Sequence, residues 1–248
     1  MNPIALQLYS IKELTEVDFL GTLEKVAKIG YDGVEFAGYF NTSAKDLKKA
    51  LNEIGLKAAG SHVGIEALKS DLEHSIAYAL EIGSPYIICP GLPGEMRSSK
   101  DDYLKTADLF NQIGQRCKEN GLQFGYHNHD FEFQQFAGEY GLDLLINHTE
   151  SDLMFVELDT YWVEFSGLRS IDFIEKYAER CRILHIKDMH SLSDKRNTEI
   201  GAGIMDFKAI IPAGQKQGVQ WYTVEQEEFI IPQLRSIEES LTYLKSIL

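Results

Sequence analysis

The sequence predicts a single closed barrel of eight parallel strands, each followed by a helix. Three observations predict it. Short runs rich in β-branched and aromatic residues alternate eight times with longer stretches of helical periodicity. Glycines stand where helices should stop, as Gly30, Gly55 and Gly83 do. No linker, low-complexity stretch or shift of composition interrupts the series, so residues 1–248 read as one domain. α/β barrels of about this length are routinely single domains, and closure removes the two edges that an open sheet would expose.

The first strand is expected at 4–10, before a helix at 17–29 that carries Phe19, Leu20, Leu23, Val26 and Ala27 at three- and four-residue spacing. The second pair is 33–38 and 43–54, with Ser43 as N-cap and Gly55 as stop. The third is 57–64 and 65–82, closed by Gly83. The fourth strand, 86–91, leads through a Pro/Gly-rich loop (Pro90 to Gly94) to a helix at 100–120. The remaining pairs are 122–129 with 140–148, 154–161 with 171–178, 182–189 with 206–213, and 220–226 with an amphipathic helix at 232–247.

Composition narrows the function. At 44% hydrophobic residues the chain can fill a core, which excludes intrinsic disorder. With 24 Lys+Arg against 38 Asp+Glu, the net charge of −14 argues against a nucleic-acid binder. No run approaches the ~20 apolar residues that span a bilayer, and Met1-Asn2-Pro3-Ile4 opens no secretory signal. Three scattered cysteines, Cys89, Cys117 and Cys181, fit a reducing compartment. A cytoplasmic protein with no membrane partner is the expectation.

In such barrels the active site lies at the C-terminal ends of the strands. Those ends carry His62, then His127 and His129 followed by Glu132, then Glu157 and Asp159, then His185, Lys187 and Asp188, and finally Glu225 and Glu227. Of the 7 histidines only His74 and His148 fall in helical segments. Side-chain alternation puts Glu157 with Asp159 on one face of the sixth strand, His185 with Lys187 on one face of the seventh, and Thr223 with Glu225 on one face of the eighth. Carboxylate, imidazole and carboxylate on three neighbouring strand ends, with one more ligand from the fifth, make a mostly oxygen site. That mix suits Mn²⁺, Mg²⁺ or Co²⁺ and accommodates Zn²⁺. Structural roles compete: Asp188 reads equally as a cap, His62 and His127 as hydrogen-bonded rim histidines, and Lys187 as a neutraliser of crowded acids. Gly201-Ala202-Gly203 follows the seventh strand and lacks a third glycine, so it is no dinucleotide fingerprint and remains a candidate substrate-gripping loop.

Gly30-Tyr31-Asp32-Gly33-Val34-Glu35, Tyr126-His127-Asn128-His129, Leu158-Asp159-Thr160, His185-Ile186-Lys187-Asp188 and Val224-Glu225 span nearly the whole chain. In these segments, and in their order, the chain resembles the xylose-isomerase-like TIM-barrel superfamily. That is the sugar phosphate isomerase/epimerase group, which also includes inosose dehydratases and AP endonucleases. The resemblance implies one divalent metal, Mn²⁺ foremost, held by Asp159, His185 and Glu225 with a Glu from the fifth-strand region. Sugar epimerases place a Glu-Pro where this chain has His127-Asn128; the closest sub-branch uses the Glu just beyond, here Glu132. Epimerases also carry an aromatic and a substrate-binding His after the Asp-Thr pair, where Tyr161 and Trp162 stand here.

The implied activity is metal-dependent isomerisation or epimerisation of a sugar or sugar derivative through an enediolate. Glu132 and Glu225 serve as bases, His127 and His129 as alternatives, and His62, Lys187 and Trp162 as substrate contacts. The alternative is a lyase or dehydratase of an inosose or a 3-keto-glycoside, which adds a general acid for the departing oxygen. A non-catalytic sugar-sensing barrel is the third reading, and the charge argues against an AP endonuclease. The expected partner is a small-molecule sugar, with homo-oligomerisation left open.

Overall fold

In the computed structural model, which describes residues 2–248, the eight expected strands pair in parallel around a closed barrel. They are Ile4–Gln7 (β1), Gly33–Phe36 (β2), Lys57–His62 (β3), Tyr86–Cys89 (β4), Gln123–His127 (β5), Met154–Asp159 (β6), Cys181–Ile186 (β7) and Trp221–Val224 (β8). Each lies beside its sequence neighbours, and β8 closes on β1 through Ile4↔Tyr222, Ala5↔Thr223 and Leu6↔Val224. No helix among the described residues is long and apolar enough to cross a membrane.

The strands are shorter than their sequence runs because the residues beyond them turn into the loops of the site. After β1 the chain enters a 3₁₀ turn at Leu8–Ile11, with the Gln7 side chain accepting from the Tyr9 amide. The helix expected at 17–29 forms as Phe19–Ile29 (α2), and an unforeseen helix, Lys12–Val17 (α1), precedes it; the two are separate because Asp18 leaves helical geometry and its carboxylate caps Gly21 N at 3.0 Å. Ala44–Ile54 (α3) follows β2, Asp71 divides 65–82 into Ile65–Ser70 (α4) and Leu72–Ile82 (α5), and Lys100–Glu119 (α6) and Gly141–Asn147 (α7) follow β4 and β5. Ser43 caps Ala44–Ile54 as expected, accepting from Asp46 N at 3.2 Å, and Gly55 ends that helix at φ 76°.

Three further features escaped the periodicity. Thr160–Phe165 (α8) directly follows β6, and two short hairpins pair Gln135–Phe136 with Glu139–Tyr140 and Asp188–Met189 with Asn197–Thr198. Two-residue strands and a six-residue helix are too short for a repeat to register.

The apolar interior has two parts. A large core fills the layer between strands and helices, while Ala5, Ala59, Tyr86, Ile88, Phe155, Ile183 and Trp221 form a separate cluster. By alternation these seven point into the lumen, so the barrel is plugged, not hollow. Gly125 makes room for the plug: a Cβ there would lie 2.4 Å from the Phe155 ring. On the same strands one or two residues further on, the lumen turns polar, and the site begins.

Asp188 takes the capping role. Its carboxylate accepts from the amides of Met189 (2.8 Å), Gly201 (2.8 Å), Gly203 (3.0 Å) and Met205 (3.1 Å). The Gly201-Ala202-Gly203 loop therefore wraps around this one side chain, and a Cβ on Gly203 would meet the Met189 carbonyl at 2.2 Å. Removing an ionised acceptor strands several buried donors at once. Asp188→Ala should lose about 3–5 kcal/mol of stability, measured by denaturant unfolding; a loss below about 1 kcal/mol would show that the loop holds without it.

Candidate active site

The polar end of the lumen gathers residues that are far apart in the chain. Glu35 comes from β2, His62 from the end of β3, His127 from the end of β5, Glu157 and Asp159 from β6, and His185 from β7. Lys187 and Glu225 follow one residue after β7 and β8. All are buried except His62, which is partly so.

The groups form two levels. At the lower one, Glu35 Oε2 lies 2.7 Å from His185 Nε2 and 3.3 Å from His62 Nε2, and it accepts from Gln7 Nε2 at 2.8 Å. Glu157 Oε2 lies 2.7 Å from His62 Nε2 and 3.3 Å from His185 Nε2. It is also 3.2 Å from His127 Nδ1, without the alignment of a hydrogen bond. The opposite imidazole edges face the upper level. His185 Nδ1 is 3.2 Å from Glu225 Oε2, and His127 Nε2 is 3.9 Å from Asp159 Oδ2.

His127, Asp159, His185 and Glu225 each offer one ligand atom, all within 4.8 Å of one another; His62, His127, Glu157 and His185 form a second such group beneath. The upper group fits a divalent cation on two grounds. Two imidazoles and two carboxylates without a thiolate suit Mn²⁺, Co²⁺ or Zn²⁺. Asp159 Oδ2, fully buried, has no hydrogen-bond partner among the described residues. Asp159 is also a helix cap, because its Oδ1 accepts from Tyr161 N at 2.9 Å and Trp162 N at 3.3 Å. Cap and candidate ligand fall on the two oxygens of one carboxylate.

The electrostatics follow from the packing. Burial pushes Asp159 up to about 6 against the pull of Lys187, and burial with the nearby Glu157 pushes Glu35 to about 7. Burial also opposes ionisation of Glu225, but Lys187 and His185 outweigh it and hold that carboxyl well below its usual range. Lys187 is itself held cationic despite burial, because Glu225, Asp159 and Glu227 surround it at 3.1, 3.7 and 2.6 Å. His185 is raised for the same reason by Glu157 and Glu35. Burial lowers His127 far below its normal value and takes His129 down to about 4, so both are neutral at physiological pH.

Above the upper level opens a cavity of about 360 Å³, lined by Tyr9, Ala37, His62, Pro90, His127, His129, Glu225 and Glu227. That volume lies near the lower end of the roughly 300–1,000 Å³ typical of small-molecule sites. Among the expected substrate contacts, His62 is in its wall and Lys187 beneath it. Trp162 stands beside it, its ring centroid 5.6 Å from that of His129.

Glu132 is not brought into the ligand group. It is fully buried in the short 3₁₀ turn Phe131–Phe133, where Oε1 accepts from the Tyr126 hydroxyl and Oε2 from His129 N at 2.8 Å. Tyr126 faces the helix layer, packed on Phe110, so Glu132 sits behind β5 while His127 points into the lumen. Glu35 and Gln7 were not foreseen as site residues. Their only signal was alternation, which aims Glu35 inward from β2 just as it does Glu157 from β6.

The profile of the xylose isomerase-like TIM barrel family matches residues 23–247. The chain belongs to that family. A curated relative, the inosose dehydratase of Clostridium botulinum (strain Alaska E43 / Type E3), is 23% identical over an alignment 250 positions long that covers 86% of this chain and 83% of its own. A sugar phosphate isomerase/epimerase from Parabacteroides distasonis superposes with a TM-score of 0.84 at 27% identity, covering 99% of this chain and 94% of that one. The IOLI protein, whose crystal structure has a binding zinc atom, has a TM-score of 0.79 at 15% identity over 99% of this chain and 97% of its own, a likeness of fold.

The position of Glu132 makes a testable difference. Burial raises it from an ordinary value near 4.5 to about 7, so between those values the folded protein keeps a proton that the unfolded chain has released. Stability must fall as pH rises through that window. Glu132→Gln should remove this part of the fall, seen as a difference between the two proteins' Tm–pH profiles, and should leave divalent-metal affinity within a few-fold of wild type. Parallel profiles would refute the raised carboxyl; lost metal affinity would return Glu132 to the ligand set.

Proposed function

We propose that this chain is a divalent-metal-dependent isomerase or epimerase that moves a proton at the carbon beside the carbonyl of an unphosphorylated sugar. The observation that carries the reading is the four-residue group His127, Asp159, His185 and Glu225 directly under a cavity sized for one sugar ring. Those four would hold the metal, with His127 in the fifth-strand place that Glu132 was expected to take. A bound divalent ion, for which Mn²⁺ is the first choice, supplies Lewis acidity toward the substrate's carbonyl oxygen.

The protein's own groups divide the remaining work. Glu225 lines the cavity and is kept ionised by Lys187, so it can accept the proton from carbon. His129, neutral, stands in the same cavity wall and can take or return a proton on another side. Lys187 keeps its proton and therefore donates hydrogen bonds and charge but does not act as a base. His62 has Nε2 committed to Glu157 and Nδ1 3.3 Å from Gln7 Nε2, which makes it a shaped wall for the substrate.

An unphosphorylated substrate is favoured by charge. None of the residues lining the cavity is Lys or Arg; Lys187 is already shared among three carboxylates, and the Lys12 ammonium is bonded to the Tyr9 hydroxyl at 3.0 Å. A phosphate would meet Glu225 and Glu227 in the lining, with no cationic side chain among the lining residues to receive it.

A second reading, a lyase or dehydratase of an inosose or 3-keto-glycoside, draws on a specific pairing. An ionised carboxylate and a neutral imidazole share the cavity, and elimination needs one group to take the α-proton and another to escort the departing oxygen. The curated relative named inosose dehydratase supports it. With Mn²⁺ or Co²⁺, the isomerase reading expects exchange of a substrate α-proton in D₂O with ketoses interconverting; the lyase reading expects enone absorbance or a released aglycone.

Asp159→Asn tests what both readings share. Asn keeps the Oδ1 that caps α8 but replaces the unpartnered oxygen, so circular dichroism should stay near native. Metal affinity should fall by more than the roughly 10–100-fold typical of losing an outer-shell partner, with proton exchange abolished. Wild-type affinity by calorimetry would sink this ligand assignment.

A further inference from the structure

Beside the first cavity lies a second of about 440 Å³, floored by Tyr161, Trp162 and Phe165 of α8 and walled by residues 194–197 of the hairpin loop. The two are continuous in their lining, because Glu227 borders both. Trp162 marks the boundary, facing the second cavity and lying 5.6 Å, ring to ring, from His129 of the first. The Lys187 ammonium that bonds Glu227 at 2.6 Å also lies 5.2 Å from the Trp162 ring centroid and 5.4 Å from that of Tyr161. A ligand in the second cavity would therefore begin where the proton-transfer groups end.

The chemistry of the lining selects its occupant. Trp162 packs edge-on against Tyr161 and Phe165, with centroids 4.9 and 5.0 Å apart. The Tyr161 hydroxyl is fixed to the Lys195 carbonyl. Indole Nε1 of Trp162 is shielded from solvent and has no hydrogen-bond partner among the described residues. The loop cations are engaged: Lys195 Nζ donates to the Phe165 carbonyl at 2.7 Å, and Arg196 Nε lies 2.9 Å from Asp194 Oδ2. Asp194, Glu227 and Glu228 outnumber these two cations in the lining, which disfavours an anion. An uncharged ring fits, with its flat or C–H face on the aromatic floor.

We propose that this cavity holds a second ring of the substrate, joined to the sugar ring in the first, so that the substrate is a glycoside-type compound and not a free monosaccharide. This rests on the sugar reading of the first cavity. The second ring is either another sugar or an aryl aglycone; both present a ring face to this floor.

Binding distinguishes the outcomes. In a Trp221→Phe protein Trp162 is the remaining tryptophan of the two in the chain, so its emission reports the boundary directly. With Mn²⁺ present, the probes are methyl glycosides of a panel of hexopyranoses, the matching phenyl glycosides and the matching disaccharides, both anomers of each. At least one two-ring series should bind about tenfold more tightly than its methyl partner and shift Trp162 emission; which series does so identifies the ring. Phe165→Ala should lower the two-ring to one-ring affinity ratio. So should Asp194→Trp, which fills the cavity from an exposed loop without disturbing the core. Methyl glycosides that bind as tightly as every two-ring partner overturn the second-ring proposal and leave the sugar reading standing. Absence of binding by every probe overturns both.

Discussion

Four carboxylates at one end of a barrel lumen set the terms for everything around them. Glu35, Glu157, Asp159 and Glu225 are all at least nine-tenths buried, and an uncompensated buried charge costs several kcal/mol even after relaxation. The chain meets this with cations and shared protons, using one ammonium, from Lys187, and imidazoles that touch two carboxylates each. His185 bonds Glu35 through one nitrogen and faces Glu225 with the other. Remove any member and the others are left exposed to the same penalty. The apolar plug below, with Tyr86, Phe155 and Trp221 filling the lumen, keeps water from relieving that demand from the other side.

The same constraint orients the upper group. An imidazole with one nitrogen held by a carboxylate has a fixed ring plane and a fixed tautomer, and it presents its other nitrogen in one direction. Glu35 does this for His185, and Glu157 does it for the His62 imidazole of β3. A cavity that opens onto such a layer meets ligand atoms already aimed, and Lys187 occupies their neighbourhood with positive charge.

Much of this was legible in the sequence. Eight alternations and well-placed glycines fixed the strand count, and the period of two fixed which residues of β6, β7 and β8 face inward, which is how Asp159, His185 and Glu225 come together. The fifth strand was harder. Glu132 has the right chemistry, and nothing local says that a 3₁₀ turn folds it back onto the Tyr126 hydroxyl and the His129 amide. Glu35 carried the alternation signal but no neighbouring ligand type to draw attention to it. The helix α8 and the two hairpins are shorter than any window in which a period can be counted.

One carboxyl group joins two parts of this protein that otherwise look unrelated. The oxygens of Asp159 share a rigid plane, one bound to the first amides of α8 and the other open toward His127 and Lys187. The tilt of that short helix and the direction of the open oxygen are therefore a single degree of freedom. Because α8 also carries Trp162 and Phe165, a shift of that helix would pass to the open oxygen through the same carboxylate, and distance from the candidate site is a poor guide to which positions tolerate change.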